Sequence, residues 1–194
     1  MQRLPSIHPD QARGRTKELL DTVQKAFGMV PNAVRVMANS PAVLDGFLAF
    51  STAMGGARIG PKLHNQVKLT TSEANSCEYC TSILSAVAPS AGLSAADILA
   101  GRTGDSDDHR AREALAFARD VLENRGKVSS QRLADLREAK FGDAEIVEIV
   151  ASVVLGCFTN FLNNVAATEL DVPKAEPLGA CSTSECGAGA CSAN

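Results

Sequence analysis

The stretch EANSCEYCTSILSAV, residues 73–87, carries the residues best suited to chemistry. Cys77 and Cys80 stand three apart as a CxxC pair. At the start of a helix, two such cysteines lie on nearly one face. Their Cα atoms are then ~5–6 Å apart, inside disulfide range. Free amides and the dipole at a helix N-terminus stabilise a thiolate there and raise its fraction at neutral pH. The spacing therefore suits a reversible dithiol–disulfide couple. A zinc site needs four ligands, usually a second CxxC or paired histidines. The three histidines, His8, His64 and His109, lack such spacing. The readings, in order of preference, are a redox pair, two inert buried thiols and a metal site.

Four more cysteines follow. Cys157 lies in an apolar run and reads as a small buried hydrophobe. Cys181, Cys186 and Cys191 recur every five residues among small residues. Three soft thiolates there suit a thiophilic metal or metalloid, or exchange with the CxxC disulfide. The plainer reading is a stretch whose cysteines share no function.

The elements that must position these residues read as helices. Ala, Leu and Val dominate, which favours helix over sheet. Leu19, Leu20, Val23 and Phe27 give an apolar stripe to a helix from about Asp10 to Phe27. PNAVRVMANS, PAVLDGFLAFSTAMGG and PKLHNQVKLTTSEANS open on proline, which suits a first helical turn. A break falls at Cys77, and a helix follows it. SAADILAG has a Ser94 cap and a Gly101 stop, and another helix spans about Asp108 to Asn124. SSQRLADLREAKFG is capped at Ser129 or Ser130. The longest helix starts at Asp143 and is apolar nearly all round in its middle, which predicts burial.

Bulk composition excludes several classes. A net charge of −3 gives no basic footprint for nucleic acid and no polybasic membrane patch. The N-terminus has no apolar signal-peptide core, and the run IVEIVASVVLGCFTNFL reads as too short and interrupted for a membrane span. A cytoplasmic protein is expected. There, six cysteines point to catalysis, redox or metal rather than a disulfide framework.

KLHNQVKLTTSEANSCEYCTSILSAVAPSAGLS resembles the core of the carboxymuconolactone decarboxylase superfamily, in particular its alkylhydroperoxidase D-like, peroxidase-related members. The flanks resemble the same group, so the likeness covers about residues 1–175, with 176–194 left as a Cys/Gly/Ala-rich tail. The resemblance implies an all-α fold, no cofactor, and a homo-oligomer (dimer, trimer or hexamer). It implies a CxxC that reduces hydroperoxides or exchanges with a thiol or dithiol reductant, Cys80 attacking and Cys77 resolving.

The departures concern the proton relay. Redox members carry a His four residues after the second Cys, a Glu twelve before the first, and a His in a C-terminal FNHVA. Here those positions are Leu84, Asn65 and Asn164. None titrates near neutral pH. Glu73 is a candidate substitute acid or base, or else a solvent-facing carboxylate. His64, one residue from Asn65, points ~100° away on a helix and reads as a surface residue. General acid–base help is worth ~10²–10⁴-fold, so weak peroxidase turnover or thiol–disulfide exchange is expected. The alternative is a non-catalytic or soft-metal-binding protein on the same fold. A lactone decarboxylase ranks last, since no basic pair is present to hold its substrate.

Overall fold

A computed structural model describes residues 1–179. The tail cysteines Cys181, Cys186 and Cys191 lie outside the described residues. Among the described residues the fold is all-α: α1 (Gly14–Phe27), α2 (Asn32–Met37), α3 (Pro41–Met54), α4 (Gly60–Ala74), α5 (Glu78–Val87), a 3-10 turn (Ala88–Ala91), α6 (Ala95–Thr103), α7 (His109–Glu123), α8 (Ser130–Glu138) and α9 (Asp143–Ala166).

The helix starts follow from local chemistry. Ser94 and Asp97 form a reciprocal capping box on α6, while Asp108 and Ser129 accept the first free amides of α7 and α8. The first helix begins at Gly14, later than expected, because residues 8–13 form a turn closed by Gln11 and Ala12 amides on the His8 carbonyl. The sixth runs past Gly101 to Thr103 and stops at Gly104, whose φ of 68° is the left-handed C-cap conformation.

Helix α4 is the axis of the fold, packed by α5, α6, α7 and α9. Its faces are divided by composition. Leu63 and Val67 join Leu115, Phe117, Leu136, Ile149 and Val153 in the main core. Each such side chain contributes about 1.5–3 kcal/mol by leaving water. A second cluster, with Leu19, Leu20, Val23, Val34, Met37 and Leu44, ties α1–α3 together. At the α4–α9 crossing a Cβ on Gly156 would stand 2.8 Å from Thr71 Cγ2, so only glycine permits this approach.

Helix α9 is long and apolar enough to span a membrane by length and composition, contrary to the sequence expectation. It instead packs along the bundle against α2, α3, α4, α5 and α7. Its burial is also less complete than expected. Ile149, Ser152, Val153, Leu155, Gly156, Asn160 and Asn163 face inward, while Val147, Val154, Phe158, Phe161 and Val165 are exposed. The last five follow a spacing of 7, 4, 3 and 4 residues, so they form one outward stripe of a helix covered on one side only.

Candidate redox site

The turn between α4 and α5 delivers the cysteines. Asn75 closes α4, Ser76 takes a φ of 50°, and the Cys77 amide bonds back to the Ser72 carbonyl at 2.9 Å. That reversal makes Cys77 the N-cap of α5, and its Sγ accepts from the Cys80 amide at 3.3 Å. Cys77 and Cys80 form a disulfide with Cα atoms 5.3 Å apart. The pair is 1% and 3% exposed.

Among the described residues, each sulfur has one hydrogen-bond donor. Cys77 has the Cys80 amide at the helix terminus. Cys80 has the Asn163 side chain, whose Nδ2 donates to Sγ at 3.3 Å. Asn163 is held in turn by Thr168 Oγ1, which donates to its Oδ1 at 2.8 Å. Among the described residues, no carboxylate or imidazole bonds to either sulfur.

The relay positions are placed as follows. Asn65 donates back to the Pro61 carbonyl within its own helix, and Leu84 is half-buried on α5. Asn164 donates to the Asn75 carbonyl at 3.0 Å and so braces the turn that carries Cys77. Glu73 faces α6, where its Oε1 accepts from Arg102 Nε at 2.6 Å.

His64 is buried rather than surface-exposed, because its side of α4 packs on α9. Its Nδ1 lies 2.8 Å from Ser152 Oγ, whose hydroxyl donates to the Glu148 carbonyl. Burial, helped by the nearby Lys68 charge, lowers the His64 pKa to about 4. Lys68 itself shares the Asn65–Ser72 side of α4 and is half-buried. Burial lowers its pKa to about 8.

Two parts of the site escaped the sequence reading. One is Asn163: the resemblance drew attention to its neighbour Asn164, but Asn163 is the residue that turns inward. The other is the chain after α9. Leu170 packs on the disulfide cluster, and Asp171 accepts from Tyr79 Oη at 2.9 Å and from the Asn32 amide at 2.6 Å. Desolvation raises the Tyr79 pKa, so its hydroxyl stays a donor.

Cys157 is half-buried, and burial pushes its thiol pKa up. Asn75 Nδ2 is shared between Cys157 Sγ at 3.5 Å and Asn160 Oδ1 at 3.0 Å. The thiol lines a cleft of about 520 Å³, otherwise mostly apolar, between the end of α7 and the outer face of α9.

This arrangement, a bundle with a CxxC at a helix start beneath α9, defines a fold class. No family model matches the chain, and no curated protein matches it. Solved structures do. A peroxidase-related protein from Ralstonia eutropha JMP134, with an alkylhydroperoxidase AhpD core, superposes at a TM-score of 0.76 with 22% identity, covering 88% of this chain and 92% of that one. A peroxidase-related protein from Silicibacter sp. TM1040 gives 0.72 at 22% identity, covering 86% and 88%. The debrominase Bmp8, in a cysteine-to-alanine form bound to 2,3,4-tribromopyrrole, gives 0.74 at 19% identity, covering 87% and 91%. The chain therefore has the alkylhydroperoxidase D-like helical fold.

Proposed function

We propose that this chain is a CxxC-dependent thiol–disulfide oxidoreductase with weak hydroperoxide reductase activity. The observation that carries this reading is the Cys77–Cys80 disulfide at the start of α5, with one neutral donor on each sulfur. A neutral donor stabilises a thiolate without supplying a proton for a leaving group. In the peroxide step, the Cys80 thiolate attacks the peroxide, the O–O bond breaks, and an alcohol leaves after taking a proton. Cys80 becomes a sulfenic acid. Cys77 then attacks it, forming the disulfide and releasing water. With Leu84, Asn65 and Asn164 at the relay positions, the alcohol's proton comes from solvent, which slows that step. Disulfide exchange needs no such proton, because charge passes from sulfur to sulfur.

The debrominase, as a cysteine-to-alanine variant in complex with 2,3,4-tribromopyrrole, shows that this fold also admits a halogenated ring in another protein. A non-catalytic, thiophilic-metal-binding role for the tail cysteines is the competing reading.

The test is peptide-resolved loss of free thiol at residues 77 and 80 after hydroperoxide addition. The expected result is joint loss in the wild type and no Cys77 loss in Cys80→Ser. Equal loss at Cys77 in both proteins overturns the reading. We also infer a homo-oligomer built on the apolar α9 stripe, which carries no charge between Glu148 and Glu169.

A further inference from the structure

We propose that the first two turns of α4, together with the starts of α6 and α7, form a binding site for a small zwitterion: a free amino acid with a short aliphatic side chain. This goes beyond the redox reading and does not rest on it.

A cavity of about 260 Å³ opens where these three helices meet. Ile59, Leu63 and Ala111 give it an apolar side, and Lys62, Gln66, Asp97, Asp108 and Arg110 give it a polar one. A water molecule takes ~30 Å³, so the space matches a ligand of about eight non-hydrogen atoms.

Gln66 carries the inference. It lines the cavity and is only 1% exposed, yet its Oε1 has no hydrogen-bond donor among the described residues. Its amide is held one way round, because Nε2 donates to the Asp97 carbonyl at 3.1 Å. Reversal would set Oε1 against that carbonyl, acceptor against acceptor. A buried acceptor without a donor is unfavourable, and a leucine would fill the same space without one. A ligand that brings an N–H donor relieves it.

The charged groups say what else the ligand carries. Lys62 Nζ pairs with Asp97 Oδ1 at 2.7 Å, but its side chain is 56% exposed and free to turn to a ligand. Arg110 is fixed: its guanidinium lies 4.0 Å over the Phe141 ring, and its Nη2 donates to Glu145. Its Nε and Nη1 keep hydrogens for a further acceptor. Asp97 is filled by Lys62 and by the Ser94 amide and hydroxyl. Asp108 gives Oδ1 to the Ala111 amide at 2.7 Å, and its Oδ2 has no donor among the described residues.

Two acceptors are therefore open, Gln66 Oε1 and Asp108 Oδ2, beside two cations. Lys62 and Arg110 balance Asp97 and Asp108, so the lining favours neither a simple anion nor a simple cation. A zwitterion meets both demands. Its ammonium donates to Gln66 and Asp108, its carboxylate accepts from Lys62 and Arg110, and its aliphatic group packs on Ile59, Leu63 and Ala111.

Calorimetric titration of the full chain tests this with L-valine, with isobutylamine, which lacks the carboxylate, and with 3-methylbutanoate, which lacks the ammonium. Saturable binding of L-valine is expected with a Kd on the order of 1 mM or tighter, and each analogue about tenfold or more weaker. No saturation by L-valine up to ~10 mM, or equal affinity for all three, overturns the proposal. Gln66→Leu and Lys62→Gln should each weaken L-valine about tenfold with little change in Tm. Unchanged affinity in either overturns it. Where Gln66→Leu does not fold, Asp108→Asn takes its place, since asparagine keeps the α7 cap and removes the charge. Unchanged affinity there overturns it equally.

Discussion

Asn163 Nδ2 donates to Cys80 Sγ at 3.3 Å from one turn before the end of α9. An amide thus occupies the place beside the sulfur where an acid–base group would be most useful. Asn163→Leu removes that donor and leaves the Thr168 hydroxyl without its buried acceptor. A hydrogen bond to a charged acceptor is worth about 1.5–3 kcal/mol, or roughly 1–2 pKa units. In a Cys77→Ser background, the pH profile of Cys80 alkylation should shift upward by about that much. An unchanged profile would show that the amide does not tune the thiol.

Asp171 fastens the post-α9 segment through two hydrogen bonds, one to α5 and one to α2. Asp171→Ala removes the acceptor of the Tyr79 hydroxyl proton and of the Asn32 amide, while the Tyr79 oxygen keeps the Ala33 amide. Reduction of Cys77–Cys80 by a small phosphine should become several-fold faster, with little change in helix content. Identical reduction kinetics would mean that access does not run past Leu170.

His64 gives the fold an acid-sensitive point. Its folded pKa of about 4 lies below the unfolded value of ~6.5, so the unfolded chain binds the extra proton between them. The stabilisation is complete above about pH 6.5 and is lost as pH falls toward 4. The span corresponds to roughly 3–3.5 kcal/mol. His64→Gln, which cannot titrate, should flatten this part of the stability–pH curve in denaturant titrations.

Gly156→Ala puts a methyl against Thr71 at the α4–α9 crossing. Thr71 is fully buried, so the helices must part, at a cost of about 1–3 kcal/mol. The Thr71→Ser partner substitution removes the opposing methyl and should restore part of the lost thermal stability. Additive losses in the double variant would place the strain elsewhere.

The outer stripe of α9 offers a direct test of assembly. Val154→Glu with Phe161→Glu places two charges on the exposed apolar face without touching the inward residues. Light scattering should report a lower mass than for the wild type. An unchanged mass would mean that subunits meet through another surface.

The sequence alone determined the all-α fold and most helix limits. Capping residues, prolines and the 3.6-residue apolar period act within one or two turns, so they are legible without neighbours. It also located Cys77 and Cys80 at a helix start, because an i, i+3 pair has its geometry fixed locally. Tertiary structure decided the rest. Which of Asn163 and Asn164 meets the sulfur depends on how α9 is rotated against α5. His64 became a buried partner of Ser152, and Glu73 a partner of Arg102, through contacts with residues 88 and 29 positions away. The course of residues 168–178 along α5 was equally invisible, since its fastenings to Asn32, Glu78, Tyr79 and Ser82 join parts of the chain that no local pattern connects.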